Sequence, residues 1–284
     1  MKICRYNDNR LGVIDGDDVI DVSAALEVLP TVRWPVPAGD LLIAHLGDLR
    51  AEIGRLADTG DRVACSDVVL KSPVANPDKI IGAPVNYLKH QDEAQKDAGI
   101  NYGSDVKTIN EYGLFLKANS SLVGPGEGVS AKFPDRRIDY EVELAVVVGQ
   151  GGRDIREVDA MAHVAGYAIG IDMSIRGTED RSYRKSLDSF SVLGPWLVTA
   201  DEIADPGLLD LELSVNGEMK QSSSTSFLIF DVPQLIAYAS RAFTLHPGDI
   251  IMTGTPEGVG PVAPGDVMTA RVEAVGEMVV EVRA

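Results

Sequence analysis

Asp139, Glu141 and Glu143 alternate with apolar residues near the middle of the chain. Because the side chains of a β-strand point alternately to its two faces, this spacing predicts that the three carboxylates lie on one face. Carboxylates at this spacing repel each other unless a cation, protons or a basic partner compensates their charge. The segment therefore predicts a divalent metal site, and a half-exposed edge strand with solvated acids is the alternative interpretation.

Asp172 offers a further carboxylate at the end of a second strand-like segment. The residues predicted to share its face are small and leave room beside it: Gly166, Ala168 and Gly170. If the two strands pair, Asp172 converges with Glu141 and Glu143, and such an all-oxygen ligand set favours Mg²⁺, Mn²⁺ or Ca²⁺ over zinc or copper. Otherwise, an isolated Asp at a strand end is typical of a turn or a cap.

The composition limits the classes of partner. The chain has 284 residues, 45% of them hydrophobic, and this is enough for a large core. Its 26 basic and 43 acidic residues give a net charge of −17, which repels nucleic acid and anionic membranes. No apolar run approaches the roughly 18 residues of a membrane span, and no signal-peptide pattern precedes the first strand, so we expect a cytoplasmic protein. Cys4 and Cys65 are far apart and are predicted to carry no chemistry.

The first 72 residues are predicted to form a small N-terminal α/β domain. Short strands are predicted at 2–6, 10–14 and 18–21, and helical periodicity follows at 41–57. The proline-containing segment 71–77 favours an extended connector, which predicts a boundary between domains at 1–72 and 73–284.

The second domain is predicted to be β-rich, with few helices. A strand is predicted at 79–83, helices at 87–96, 157–163 and 233–241, and β-strands separated by Gly and Pro turns over most of the remainder. Segment 97–112 is polar and has few apolar residues, which predicts mobility. The overall prediction is an α+β fold dominated by β-structure.

Five segments in a fixed order resemble the fumarylacetoacetate hydrolase family over most of residues 79–282. These segments are 139–144, 170–174, 185–196, 247–251 and 253–260. The resemblance implies a mixed β-sheet roll like that of the fumarylacetoacetase C-terminal domain, in a protein that is usually a homodimer. It also implies that Glu141, Glu143 and Asp172 bind Mg²⁺ or Mn²⁺.

The resemblance also implies three catalytic residues: His90, Glu93 and Lys185. At i and i+3 of the predicted helix, His90 and Glu93 share one face, and in relatives this helix is a lid over the metal. A carboxylate bonded to an imidazole raises its basicity and sets its tautomer, as a general base acting on water requires. Lys185 is implied to stabilise an enolate, and a surface histidine is the alternative interpretation of His90.

Further residues are predicted to bind the substrate. Gly254 and Thr255 resemble the family position that bonds the substrate carboxylate. Glu179 replaces a glutamine common in relatives, and it would repel a second substrate carboxylate unless a nearby arginine compensates it. A local basic cluster is interpreted either as a site for a second substrate anion or as salt bridges to nearby acids: Arg176, Arg181, Tyr183 and Arg184.

Together these residues predict a hydrolase that acts on carbon–carbon bonds in ketonic substances. The predicted substrate is a small-molecule 2,4-dioxo acid, such as the acylpyruvates fumarylpyruvate and maleylpyruvate or a diketo acid, and the products are pyruvate and a carboxylic acid. Oxaloacetate decarboxylation or isomerisation of a hydroxy-diene dioate at the same metal–enolate site is the alternative. A non-catalytic metal-binding protein is a third hypothesis.

Overall fold

The computed structural model describes residues 1–133 and 135–284. Across these residues the chain forms twenty strands: β1 Lys2–Tyr6, β2 Arg10–Asp15, β3 Asp18–Asp21, β4 Arg62–Ala64, β5 Leu70–Lys71, β6 Ile80–Gly82, β7 Phe115–Lys117, β8 Leu122–Val123, β9 Val129–Ser130, β10 Ile138–Tyr140, β11 Val142–Val148, β12 Val164–Asp172, β13 Ser174–Ile175, β14 Ser191–Thr199, β15 Asp210–Val215, β16 Glu218–Ser224, β17 Ile250–Met252, β18 Gly260–Val262, β19 Val267–Val272 and β20 Gly276–Arg283. The α-helices of the same residues are α1 Leu41–Ala44, α2 Leu46–Ala57, α3 Leu88–Lys96, α4 Ala98–Asn101, α5 Ile109–Tyr112, α6 Arg181–Lys185 and α7 Val232–Ala242. The predicted β-rich α+β fold is confirmed.

The strands form three sheets. The largest has the order β4-β3-β2-β1-β14-β12-β11-β17-β6-β7, with β5 paired to β1 and β8 paired to β14. It is mixed, because β17 pairs with β6 in parallel whereas β11 pairs with β12 and β17 in antiparallel. The second sheet is β13-β10-β18, and the third is β16-β15-β19-β20-β9.

The main core lies between the third sheet and the centre of the largest sheet. Leu144 of β11 and Ile169 of β12 belong to the same buried cluster as Leu213 of β15 and Val280 of β20. All seven residues of β11 are buried, as expected of a central strand covered on both faces. This core makes β11 and β12 a rigid base for the side chains at their ends.

The N-terminal strands extend the largest sheet. They lie close to the predicted positions, and β1 pairs with β14 in antiparallel with Lys2 opposite Val198. The predicted helix at 41–57 is interrupted at His45, whose backbone leaves the helical region. The division into domains at residue 72 stays a prediction.

Two further local predictions differ from the structure. The single strand predicted to carry Asp139, Glu141 and Glu143 is wrong as a continuous element, because β10 ends at Tyr140 and belongs to another sheet than β11. The predicted helix at 157–163 is a 3₁₀-helix, Glu157–His163. Segment 97–112 contains the short helices α4 and α5, and its mobility stays a prediction. Within the described parts of the chain, every helix is too short or too polar to traverse a bilayer.

Candidate active site

Three carboxylates converge where β11 and β12 meet. The register sets Glu143 opposite Gly170, and the Asp172 N–H donates to the carbonyl oxygen of Glu141 at 2.9 Å. Glu141, Glu143 and Asp172 each offer an oxygen within 4.8 Å of the others, and their exposures are 6%, 2% and 1%. The convergence predicted from the sequence is therefore present, and the alternative of a solvated edge strand is wrong.

Two lysine ammonium groups lie against these carboxylates. Lys185 Nζ donates to Glu141 Oε2 and to Asp172 Oδ2, both at 2.7 Å. Lys117 Nζ donates to Asp172 Oδ1 and to the carbonyl oxygen of Phe190. Burial lowers the pKa of the Lys117 ammonium even though Asp172 opposes this shift. Lys117 was not identified from the sequence, because a lysine in a short strand is ordinarily interpreted as an exposed residue.

The carboxylates differ in how fully their charge is compensated. Burial alone would raise the pKa of Glu141, but Lys185 and Arg176 outweigh it and hold that pKa well below the ordinary value. Burial raises the pKa of Glu143, and the neighbouring Asp172 and Glu141 raise it further. Among the residues that the structure describes, Glu143 has no lysine or arginine partner. A hard divalent cation fits this oxygen set, because it would compensate the negative charge of Glu143, which no basic side chain in the described part of the chain neutralises.

Gly254 orients Glu143 through its backbone. Its N–H donates to Glu143 Oε2 at 2.6 Å. The residue has a φ of +101°, and a Cβ here would lie 2.7 Å from Cβ of Asn86, so both the conformation and the space require glycine. Predicted from the sequence as a substrate-binding residue, Gly254 is thus placed against a carboxylate of the candidate metal site.

His90 and Glu93 form a hydrogen-bonded pair on α3. His90 Nδ1 lies 3.1 Å from Glu93 Oε2, and the Gly258 N–H donates to Glu93 Oε1 at 2.9 Å. His90 is buried and lines one cavity together with the three carboxylates. Because Nδ1 faces Glu93, Nε2 is the imidazole nitrogen left to exchange a proton with a molecule in the cavity.

Arg176 belongs to a buried ionic network. Its Nε donates to Asp139 Oδ2 at 2.7 Å and its Nη2 to Glu141 Oε1 at 2.9 Å. Arg137 in turn donates to Asp139 and, at 2.9 Å, to Asp97 at the end of α3. Arg176 was predicted to bind substrate, and the structure shows it lining the cavity while bonded to a candidate metal ligand.

Glu179 is paired with an arginine that the sequence did not suggest. Arg136 donates to both of its carboxylate oxygens, at 2.8 and 2.9 Å. Glu179 lines the cavity with its charge compensated, so this departure from the family pattern is balanced locally. Tyr183, in contrast, is 52% exposed and lies outside the lining of that cavity.

Thr255 is buried in the cavity wall and is held by a side chain that the sequence did not reveal. Gln221 of β16 donates to Thr255 Oγ1 at 2.8 Å and to the carbonyl oxygen of Pro256 at 3.0 Å. The side-chain oxygen Oε1 of Gln221 accepts from the Val142 N–H at 2.9 Å. Gln221 lies in a run of polar residues that is typical of an exposed strand, and yet it is fully buried.

The cavity that these side chains share has a volume of about 320 Å³. Its wall combines the carboxylates with His90, Lys185 and Thr255, and segments from α3 to α5 complete it. A volume of this size is at the lower end of small-molecule sites. The cavity therefore suits a compact, polar ligand.

Comparison with known proteins identifies the family. The family described as "Fumarylacetoacetate (FAA) hydrolase C-terminal" matches residues 79–283. This chain belongs to the fumarylacetoacetate hydrolase family. Within it, the chain is 54% identical, over the full length of both proteins, to a maleylpyruvate hydrolase of Aquipseudomonas alcaligenes.

Two further members of the fumarylacetoacetate hydrolase family are similar to this chain. The human mitochondrial oxaloacetate tautomerase FAHD2A is 41% identical over 201 residues, which cover 69% of this chain and 61% of that protein. The crystal structure of a maleylpyruvate hydrolase from Sphingobium sp. SYK-6 in complex with manganese(II) and pyruvate has a TM-score of 0.84. It is 38% identical to this chain, and the match covers 100% of this chain and 99% of that one.

Proposed function

We propose that this protein is a metal-dependent acylpyruvate hydrolase, which cleaves a 2,4-dioxo acid of the maleylpyruvate type into pyruvate and a carboxylic acid. A relative that matches over its full length is a maleylpyruvate hydrolase, and a structural relative was crystallised with manganese(II) and pyruvate. The observation that carries the proposal is the His90–Glu93 pair, which lines the same cavity as the three carboxylates and Lys185.

Glu141, Glu143 and Asp172 would hold the metal, as Mn²⁺ or Mg²⁺. When bound, the ion would act as a Lewis acid that polarises the 2-keto group of the substrate. Hydrogen bonds hold two of these ligands in place: the Gly254 N–H donates to Glu143, and Arg176 and Lys185 donate to Glu141.

His90 would act as the general base. Glu93 accepts a hydrogen bond from Nδ1–H, which leaves the lone pair on Nε2 to remove a proton from water. Glu93 is itself held by the Gly258 N–H, so the imidazole is positioned by two successive hydrogen bonds. The resulting hydroxide attacks the C4 carbonyl carbon of the substrate.

Lys185 would stabilise the charge that develops as the bond breaks. Collapse of the tetrahedral intermediate breaks the C3–C4 bond, and its electron pair forms an enolate whose oxygen is on C2. The Lys185 ammonium lines the cavity, and its three N–H donors are engaged by Glu141, Asp172 and Ser174, so it would act on that oxygen through its positive charge. Preorganised electrostatic groups of this kind contribute roughly 3 to 4 kcal/mol to barrier lowering. The proton taken up by His90 is then transferred to C3, which gives pyruvate, and the acyl group leaves with the hydroxide as a carboxylic acid.

Thr255 would bond the substrate carboxylate.

The His90→Asn variant tests this function against its alternative. Wild type and variant are assayed with an acylpyruvate and with oxaloacetate, since a relative is named an oxaloacetate tautomerase. We expect acylpyruvate cleavage to fall by about 10²- to 10⁴-fold, because water loses its base. If the variant retains acylpyruvate cleavage, the proposed base is wrong. If wild type converts only oxaloacetate, metal–enolate chemistry without an attacking water replaces hydrolysis as the function.

We further propose that the protein is a cytoplasmic homodimer. The proposal rests on the family resemblance and on the composition, and light scattering coupled to size-exclusion chromatography tests the oligomeric state. A monomer mass near 30.3 kDa would contradict it.

A further inference from the structure

Arg181 lies at the cavity with its guanidinium stacked on aromatic rings. Its Cζ is 4.6 Å from the centroid of the Tyr112 ring and 5.6 Å from that of Phe115. Over residues 1–133 and 135–284, no acceptor is hydrogen-bonded to this guanidinium and no carboxylate forms an ion pair with it. The rings hold the planar group in place and leave its N–H donors unused.

Arg184 is one helical turn from Arg181 and also lines the cavity. Its Nε donates to the carbonyl oxygen of Glu179 at 2.9 Å, and no carboxylate in the described part of the chain pairs with it. The neighbouring acids are already engaged, because Glu179 pairs with Arg136 and Asp180 accepts from the N–H and the hydroxyl of Ser182. The interpretation of this basic cluster as salt bridges to nearby acids therefore does not account for Arg181 and Arg184.

Arg181 is close enough to Lys185, the residue proposed to act at the C2 oxygen, to reach the far carboxylate of a substrate with two acidic ends. Lys185 Nζ lies 5.4 Å from the centroid of the Phe115 ring, and Arg181 Cζ lies 5.6 Å from the same point. The two cations are therefore separated by at most the sum of these distances. From C2 of a seven-carbon dioxo diacid to its far carboxylate carbon there are five carbon–carbon bonds of about 1.5 Å each, and this length falls within that limit.

We propose that Arg181 and Arg184 bind a second carboxylate, carried by the acyl group, and make the enzyme specific for acylpyruvates that are dicarboxylic acids. The inference rests on the proposed function, since it assigns the acyl end of that same site. Arginine suits this role because its fork of donors matches a carboxylate. Arg176, which also lines the cavity, is already bonded to Asp139 and Glu141.

Arg181→Met and Arg184→Met test the assignment with two substrates. Maleylpyruvate has the second carboxylate, and acetylpyruvate, with a methyl group in its place, does not. We expect kcat/KM for maleylpyruvate to fall about 10- to 100-fold, mainly through KM, as charged hydrogen bonds are lost. The value for acetylpyruvate should stay within threefold. Arg153→Met, at an exposed arginine remote from the cavity lining, is the matched control.

A binding measurement separates this inference from the proposed function. Calorimetry with maleate, the dicarboxylate product, needs no turnover, and we expect each variant to lose at least tenfold in affinity. Equal losses with both substrates, or unchanged maleate affinity, would overturn the inference. If wild type cleaves neither substrate the proposed function fails, and maleate binding alone then decides the role of the arginines. If Arg181→Met does not fold, Arg181→Lys is used in its place, because it keeps the positive charge and removes the forked N–H donors of the guanidinium.

Discussion

Glu93→Gln is the most informative single change in the candidate catalytic pair. Glu93 Oε2 accepts from His90 Nδ1 at 3.1 Å, and Oε1 accepts from the Gly258 N–H at 2.9 Å. The side-chain oxygen of the glutamine can still accept from the Gly258 N–H, and the side-chain NH₂ group then faces Nδ1 of His90. The imidazole must in response carry its proton on Nε2, where it can no longer accept a proton from water.

The size of the effect follows from what His90 supplies. General-base catalysis contributes about 10²- to 10⁴-fold, and the Glu93 side chain is 28% exposed, so solvent softens the change of tautomer. We therefore expect the lower half of that range, a loss of about 10²- to 10³-fold in kcat. This corresponds to about 3 to 4 kcal/mol of barrier. KM and metal affinity should change little, since Glu93 bonds to none of the three candidate ligands.

The assay follows the loss of enol absorbance of an acylpyruvate at saturating Mn²⁺, with metal affinity measured separately by calorimetry. Asp92→Asn is the matched control, because it removes one carboxylate from the exposed face of the same helix. A Glu93→Gln variant whose kcat stays within threefold of wild type, with Asp92→Asn equally unaffected, would refute the proposed dyad. A loss of metal affinity in Glu93→Gln would also contradict the proposed dyad, because it would show that Glu93 supports metal binding.

Further predictions concern the metal site and the thiols. Glu143→Gln should lower Mn²⁺ affinity by 10-fold or more in calorimetry, because it removes the least compensated of the three carboxylates; unchanged affinity would exclude Glu143 as a ligand. Lys185→Met should lower kcat about 10²- to 10³-fold in steady-state kinetics, and a loss confined to KM would contradict its role at the enolate. Cys4 is fully buried, and burial raises the pKa of its thiol to about 12. At pH 8 an alkylating reagent should therefore modify the partly exposed Cys65 first and Cys4 only after unfolding, as mass spectrometry of the peptides can show.

The acidic residues of the site could be predicted because their spacing is local. Glu141 and Glu143 are two residues apart, and small residues around Asp172 indicated a strand with space beside it. The segment proved not to be one strand, since the chain passes from β10 to β11 at Glu141. The convergence was nevertheless correct, because it depends on the pairing of β11 with β12 and not on a continuous strand.

The basic and amide partners of the site could not be predicted in the same way. Lys117 lies 55 residues from Asp172 and Gln221 lies 34 residues from Thr255, and no local pattern records such pairings. Arg136 likewise meets Glu179 only in the folded chain. Sheet packing decides that Lys117 and Gln221 are buried, and Arg136 and Glu179 are brought together by the same tertiary structure, so these roles became visible only in the folded chain.

Cleavage of an acylpyruvate by the wild-type protein tests the central claim most directly. Maleylpyruvate is incubated with the metal-free protein, with added Mn²⁺, and with Mn²⁺ followed by chelator, while pyruvate is quantified by an independent coupled assay. The account predicts one pyruvate for each acylpyruvate consumed, only while the metal is present. Consumption without pyruvate, or pyruvate release that continues undiminished in chelator, would contradict metal-dependent hydrolysis at Glu141, Glu143 and Asp172.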